Sequence, residues 1–432
     1  MTGFLERVFK LKSHDTRVRT EVIAGVTTFF TMVYIIFVNP QILAVAGMDK
    51  GAVFVTTCLI AGLGSILMGL IANLPVALAP AMGLNVFFAF VVTLSMQYSW
   101  QVGMGAIFWG AFGVFVLTLF RIRYWILNHI PVSLRLGIIS GIGLMIALMG
   151  LQNMGIVVKH DDTLLALGDL SAPSSLLGGF GFFIIVCLAA RSIHAAVLIS
   201  LFVITTISFF IGEVQFHGVV SLPPSISPVL GQLELTDALR PELAGIIFSF
   251  MLVNLFDSTG TLVGLTDKAG LIKGVEGNKQ MKRALFVDSS SSMGGALMGT
   301  SSVGAYIESA SGISVGGRTG LAAVVVGILF LCAIFISPLI QMVPIYAAAG
   351  ALVYVGVLMV EELAKVKWQD ITEAAPAFVT AIMMPFSFSI TDGIALGFMS
   401  YVIIKLGSGR YKELNLCVWV VALAFLGKYL WV

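Results

Sequence analysis

The sequence predicts an all-α polytopic membrane protein with about fourteen transmembrane segments, arranged as two inverted repeats of seven. Of its 432 residues, 58% are hydrophobic and only 11% are charged, whereas soluble domains carry about 25% charged residues. Apolar runs close to the ~20 residues that cross a bilayer core as a helix recur along the whole chain. Two interrupted stretches, 76–90 (VALAPAMGLNVFFAF) and 300–312 (TSSVGAYIESASG), occupy matching positions in the two halves.

Hydropathy divides the chain into two repeats with a loop between them. Residues 1–20 form the N-terminal region, and the first repeat (21–212) has segments 21–43, 53–71, 76–90, 102–119, 133–151, 176–190 and 195–211. A polar connecting loop (213–240), expected to be external, follows. The second repeat (241–410) has segments 243–265, 284–298, 300–312, 321–340, 345–360, 375–390 and 393–406. The apolar tail within 411–432 is either an extra span or an interfacial helix.

The distribution of basic residues predicts the orientation of the chain in the membrane, since cytoplasmic loops are enriched in Lys and Arg. The N-terminal region is basic and is therefore expected to be cytoplasmic. The other basic residues predicted to be cytoplasmic are Arg121, Arg123, Arg191, Lys268, Lys273, Lys279, Lys282, Arg283, Lys365, Lys367, Arg410 and Lys412. Both ends then lie inside, and because seven is odd, the second repeat must be inverted. A weak similarity between 20–38 and 241–262 agrees with this.

The two interrupted stretches predict where a ligand would bind. Non-helical backbone at membrane depth survives only where protein buries it or where it lines a cavity. A pair of broken segments in corresponding positions of two halves is the best sequence indicator of a transporter's binding site. The sequence therefore predicts a site at midplane, built from segments three and ten.

Three polar residues in apolar surroundings are the candidates for that site. Asp257 lies late in segment eight and Glu308 lies in segment ten, and each charge costs about 2.5–3.5 kcal/mol at bilayer depth. The alternative is a structural ion pair or a carboxylate bonded to backbone N–H groups. Asn85 offers a donor pair and an acceptor, which suits a nucleobase edge, or it could satisfy the free backbone of a broken helix. Asp288 is expected to belong to helix packing through small residues.

Other function classes find little support in the sequence. The net charge of +2 does not indicate nucleic-acid binding. The four cysteines and five histidines form no metal-ligand spacing, and no GxxxxGK[ST] loop is present. We therefore expect no metal, no cofactor and no enzymatic activity. The charged N-terminal residues are not typical of a cleavable signal peptide.

Three motifs together resemble the AzgA-like adenine/guanine/hypoxanthine permeases of the nucleobase–ascorbate transporter superfamily. They are ALAPAMGLNVFFAF, NLFDSTGTLVGLTDKAGL and YIESASGISVGGRTGL. Further stretches, SLRLGIISGIGL and MMPFSFSITDGIALGF, are most similar to the bacterial adenine permease branch. One departure is Gly304, where related sequences often have threonine, so a hydroxyl contact there is not carried over.

The resemblance implies a core domain (segments 1–4 and 8–11) and a gate domain (segments 5–7 and 12–14), with short extended pieces in segments 3 and 10 meeting at midplane. The resemblance implies a transporter of the bacterial cytoplasmic membrane that imports a purine base, with adenine as the first choice. Import would be coupled to protons and would proceed by alternating access. Sodium coupling and a homodimer through the gate domains are left open. The implied base-binding residues are Asn85, Asp257, Glu308, Met82, Gly83, Leu84, Tyr306 and Ile307, with Phe256 and Tyr34 as stacking partners; Glu308 or Asp257 would carry the proton.

Two alternatives remain at this point. A guanine/hypoxanthine permease would have the same fold and would differ in which bases compete for uptake. An anion exchanger or channel of the same fold would bind an anionic ligand, which two acidic residues at the site would repel.

Overall fold

The computed structural model describes residues 2–120, 122–123, 129–160, 164–193, 195–215, 218, 220–271, 274–387 and 389–431. The basic residues Arg121 and Lys273 of the orientation argument lie outside them. The helices are α1 Thr2–Phe9, α2 Val18–Met32, α3 Ile35–Val45, α4 Lys50–Leu67, α5 Met82–Val86, α6 Trp100–Leu119, α7 Val132–Asn153, α8 Pro173–Ala190, α9 Ala196–Phe210, α10 Ala244–Lys268, α11 Gly274–Met298, α12 Ser309–Ser314, α13 Gly320–Ala333, α14 Ser337–Met342, α15 Ile345–Val360, α16 Ile371–Ser387, α17 Ile390–Gly407 and α18 Leu416–Trp431. The strands are β1 Leu78–Pro80, β2 Val157–His160, β3 Leu164–Leu167 and β4 Val303–Ala305.

Each predicted apolar segment coincides with helix, except the two interrupted stretches, which each contain a strand and a short helix. Eight helical stretches of the described residues are long and apolar enough to cross a membrane. The fold class is confirmed, while the count of fourteen crossings stays a prediction. Helix α11 begins at Gly274, ahead of the predicted segment at 284, because hydropathy detects only the apolar part of a helix. The β2–β3 hairpin was not predicted.

The extended pieces of the two halves pair with each other. Strands β1 and β4 are antiparallel, with Leu78 opposite Ala305 and Pro80 opposite Val303. All six strand residues are buried. Their backbone groups find partners inside the protein, partly in the strand pairing and partly in serine hydroxyls such as Ser65, which accepts the Leu78 N–H at 2.9 Å, as unwound backbone at membrane depth requires. Helices α5 and α12 then begin close to the point where the strands meet.

The helices pack in two groups on either side of this strand pair. In one group α13 packs against α2 and α4, and α6 packs against α10 and α11. In the other group α7 packs against α15 and α16, and α8 packs against α9 and α15. The two groups touch at Gly83, where a Cβ atom would lie 2.6 Å from Cγ2 of Ile142 on α7. The groups contain the segments expected for the core and gate.

The contact between α4 and α13 leaves no space for side chains at its glycines. A Cβ atom at Gly327 would lie 2.5 Å from the Gly62 carbonyl oxygen, so helices approach each other as closely as small residues allow. We expect Gly327→Ala to lower the melting temperature of the detergent-purified protein, because overpacking typically costs about 1–3 kcal/mol. Gly407→Ala is the control, since no heavy atom lies within 4 Å of its Cβ position; equal melting temperatures would contradict the prediction.

Candidate functional site

A cavity of about 820 Å³ runs between the two helix groups and ends at the β1–β4 pair. This volume is within the ~300–1,000 Å³ typical of small-molecule sites. Its inner end is lined by Tyr34, Phe256, Asp257, Tyr306 and Glu308. Its outer end is lined by the charged residues Arg135, Glu361, Glu362 and Lys365. The cavity therefore joins the predicted site to one end of the helix bundle.

Glu308 is held in place by contacts from Tyr34, which lies between α2 and α3, and from α12. The Tyr34 hydroxyl donates a 2.6 Å hydrogen bond to Glu308 Oε1. The Ser311 hydroxyl donates to the Glu308 carbonyl oxygen at 2.6 Å, and Thr31 Oγ1 lies 3.0 Å from Ser311 Oγ. No described basic side chain forms an ion pair with Glu308. One oxygen of the carboxyl group is thus oriented by Tyr34, and the other is available to a ligand or a proton.

Asp257 lies on α10 and faces the same cavity. Among the described residues, none donates a hydrogen bond to its carboxylate and none forms an ion pair with it. Carboxylates without partners are rare at membrane depth and normally indicate function. Asp257 and Glu308 both line this cavity, so the cavity brings together the two predicted carboxylates.

Of the other predicted site residues, six line the cavity and two do not. The lining residues are Tyr34, Met82, Gly83, Phe256, Tyr306 and Ile307. The Tyr306 hydroxyl donates to the Pro80 carbonyl oxygen at 2.6 Å, which joins the two strand ends. Phe256 is almost fully buried, and Ile307 is half exposed. Leu84 is buried in the hydrophobic core.

Asn85 is also absent from the lining, although it was a leading candidate. It is fully buried, and its amide donates to Asn39 Oδ1. Asn39 in turn donates to Thr57 at 2.8 Å and to Thr300 at 3.0 Å. Asn85 therefore contacts a side chain rather than the free backbone of the broken helix, and its Oδ1 has no described hydrogen-bond partner, so its role stays a prediction.

A buried ion pair between Arg123 and Asp288 lies behind the site and was not predicted from the sequence. Arg123 Nη2 lies 2.7 Å from Asp288 Oδ2, and both side chains are buried. Arg123 was placed at the cytoplasmic end of a segment, which stays a prediction, but its burial and its partner were not predicted. Asp288, which was expected to belong to helix packing, also forms this ion pair. A buried arginine close to a segment end cannot be distinguished by sequence from one in a loop, since the positive-inside rule counts both alike.

The cavity has the chemistry of a site for a flat, neutral molecule that donates hydrogen bonds. Two carboxyl groups supply acceptors, Phe256 and Met82 supply apolar surface, and no described basic side chain lies at the inner end. Among the described residues no cluster could hold a metal ion. The arrangement can bind and can exchange a proton, but it lacks an obvious nucleophile–base pair.

Comparisons with known proteins find relatives that are similar to this chain over nearly its whole length. The chain is 64% identical over 430 residues to adenine permease AdeP of Escherichia coli K12, covering 100% of this chain and 97% of AdeP. It is 65% identical to adenine permease AdeQ of the same organism, covering 98% and 96%. It is 39% identical to guanine/hypoxanthine permease PbuO of Bacillus subtilis 168, covering 97% and 98%.

A solved structure has the same fold at low sequence identity. The transmembrane domain of the cyanobacterial bicarbonate transporter BicA matches with a TM-score of 0.68 and 15% identity, covering 87% of this chain and 97% of that domain. This similarity concerns the fold alone. The model of the Permease family matches residues 19–396. The chain, a multi-pass membrane protein, therefore belongs to the Permease family.

Proposed function

We propose that the protein imports adenine together with protons across the bacterial cytoplasmic membrane, with its N-terminus in the cytoplasm. The observation that carries the proposal is the meeting of Asp257 and Glu308 in one cavity beside the β1–β4 pair. Identity of 64% and 65% to two adenine permeases over nearly the whole chain supports adenine as the substrate.

Adenine matches the polar groups of the inner cavity. It donates N–H groups from its ring and from its exocyclic amine, and carboxylates accept hydrogen bonds from such donors. Asp257 and Glu308 would accept these bonds, and Phe256 would pack against the ring. The apolar walls exclude water, which strengthens the bonds relative to solution.

Glu308 is the proposed proton carrier. Its Oε1 is already bonded by Tyr34, so a proton on Oε2 would be gained or lost without disturbing the orientation of the carboxyl group. Lys365, which is predicted to be cytoplasmic, lines the outer end of the cavity. A cavity that opens to the cytoplasm corresponds to an inward-facing state. Movement of α7 and α15 relative to β1 and β4 would then close this path and open the opposite one.

Two other functions differ in the chemistry they require. A guanine/hypoxanthine permease is supported by the relative PbuO, at the lower identity of 39%. Anion exchange would follow the fold of BicA, but the two carboxyl groups of the inner cavity would repel an anion, since like charges in a low-dielectric site interact strongly. Adenine is therefore the favoured substrate.

The test is uptake of labelled adenine into membrane vesicles with and without an imposed inward proton gradient. Unlabelled guanine, hypoxanthine and uracil are added in turn. We expect accumulation that requires the proton gradient and that only unlabelled adenine inhibits. Inhibition by guanine and hypoxanthine would assign the protein to the other purine branch, and sodium-driven accumulation would overturn proton coupling.

Tyr34→Phe is expected to weaken adenine uptake without abolishing it. The substitution removes only the hydroxyl that orients Glu308, and one hydrogen bond to a charged group contributes about 1.5–3 kcal/mol. The KM for adenine should therefore rise by about tenfold or more. Tyr98→Phe is the control, because Tyr98 lies outside the cavity lining. An unchanged KM for Tyr34→Phe would exclude the hydroxyl from the binding geometry.

A further inference from the structure

A chain of buried hydrogen bonds leads from Arg123 to the backbone of β4. Arg123 Nη2 lies 2.7 Å from Asp288 Oδ2, and the other oxygen of Asp288 accepts a hydrogen bond from the Ser258 hydroxyl. The Ser258 oxygen in turn accepts a 3.1 Å hydrogen bond from the Ala305 backbone N–H. This polar chain thus ends on the strand that immediately precedes Tyr306 and Glu308.

The same arginine also contacts α10 directly. Its Nε donates a 2.7 Å hydrogen bond to Thr259 Oγ1, and its Nη1 donates to the Leu285 carbonyl oxygen at 3.4 Å. Arg123, Asp288 and Thr259 are fully buried, and Ser258 is 1% exposed. One guanidinium group therefore joins α10, α11 and, through Ser258, β4.

Ser258 is the central member of this chain because of the single proton on its hydroxyl group. The Ser258 hydroxyl donates its hydrogen bond to Asp288 Oδ1, because a carboxylate can only accept. A lone pair of the Ser258 oxygen is then left to accept the Ala305 N–H. Arg123 pairs with the other oxygen of Asp288 and so holds the carboxyl group in the orientation that accepts the Ser258 hydroxyl.

Ser258 also follows Asp257 directly, so its position affects both carboxylates of the site. Asp257 belongs to α10, and Glu308 is three residues beyond the Ala305 amide in the chain. The strand approaches α10 closely, since a Cβ atom at Gly304 would lie 3.5 Å from Ser258 Cβ. The separation between the two carboxylates thus depends on the Ser258–Ala305 contact.

We propose that Ser258, held by the buried Arg123–Asp288 pair, is a positioning residue that sets the separation of Asp257 and Glu308 for substrate binding. This inference rests on the proposed function, because it takes adenine as the ligand. A buried ion pair is weak support for stability, because apolar residues of similar volume often stabilise a protein as well or better. Its connection to the strand beside the site gives the pair a role in binding.

The test compares Ser258→Ala with Ser289→Ala. Ser289 is a buried serine beside Asp288, and among the described residues its hydroxyl bonds only to the carbonyl oxygens of Leu285 and Phe286 in its own helix. We measure the KM and maximal rate of adenine uptake, and the Kd for adenine of the detergent-purified protein. For Ser258→Ala we expect KM and Kd to rise about tenfold at a similar amount of protein in the membrane, since a buried N–H loses its acceptor. Ser289→Ala should match the wild type.

A role in stability alone predicts a different outcome. It would lower the amount of folded protein or its melting temperature, with unchanged KM and Kd in the remaining protein, and that result would overturn the proposal. Ser258→Cys is the second variant, since it nearly keeps the volume but bonds weakly. It should raise the Kd in the same direction if Ser258→Ala does not fold.

Hydrogen exchange separates this inference from the proposed function. Without any ligand, the Ala305 amide should exchange faster in Ser258→Ala than in the wild type and in Ser289→Ala. If the wild type neither binds nor transports adenine, the proposed function fails, whereas faster exchange at Ala305 would still show the contact. Unchanged exchange together with an unchanged Kd would refute the positioning role.

Discussion

Glu308→Gln is expected to abolish proton-driven accumulation of adenine while retaining exchange of adenine across the membrane. Glutamine has nearly the same shape as a protonated glutamic acid. Its amide oxygen can still accept the bond from Tyr34, and its NH₂ group replaces the O–H donor. It cannot release a proton, so substrate movement loses its connection to the proton gradient. The cavity should still bind adenine and still alternate between its two states.

Two assays distinguish these effects. Uptake driven by an imposed proton gradient measures accumulation, and counterflow into vesicles loaded with unlabelled adenine measures exchange without net proton movement. We expect gradient-driven uptake to fall until adenine only reaches equal concentrations on the two sides of the membrane, as in facilitated diffusion. Counterflow should persist. Accumulation at the wild-type level would remove Glu308 from the coupling mechanism. Loss of both activities, with the protein folded, would assign Glu308 to binding alone.

Glu361→Gln is the matched control because Glu361 lines the outer end of the same cavity. It is exposed, and neutralising an exposed charge in a high-dielectric environment alters local interactions only slightly. The variant should accumulate adenine as the wild type does. A similar defect in both variants would point to the net charge of the cavity rather than to a proton carried by Glu308.

The sequence was sufficient to predict where the two halves meet. The interruptions in 76–90 and 300–312 leave too few apolar residues for a spanning helix, and backbone groups at that depth need partners. The structure satisfies them by pairing Ala79 with Gly304 and their neighbours. Asp257 and Glu308 were identifiable because a charge in an apolar segment is costly and therefore rare.

Long-range partners could not be predicted from the same signals. Arg123 and Asp288 are 165 residues apart in the chain, and hydropathy treats each according to its own neighbours only. Asn85 illustrates the same limit, since an amide in a broken helix can face a ligand or the protein. Its direction depends on Asn39, whose side chain joins it to Thr57 and Thr300. Such networks depend on tertiary packing, which a local pattern does not contain.

Asp257→Ala is expected to weaken adenine binding by at least about tenfold, since hydrogen bonds to charged groups contribute about 1.5–3 kcal/mol. Asp257 faces the cavity and has no described hydrogen-bond partner in the protein, so its removal should leave no buried donor unsatisfied. The fold should therefore tolerate the change better than the loss of Asp288, whose removal would strand the buried Arg123.

The measurement is the Kd for adenine of the purified protein, together with its melting temperature without ligand. Asp237→Ala serves as the control because the Asp237 side chain forms an exposed ion pair with Arg240, and such pairs contribute little. A Kd for Asp257→Ala equal to that of the wild type would exclude Asp257 from the site. A higher Kd with an unchanged melting temperature would identify Asp257 as a binding residue, because an unpaired carboxylate that contributes nothing to the fold at membrane depth is retained for its ligand.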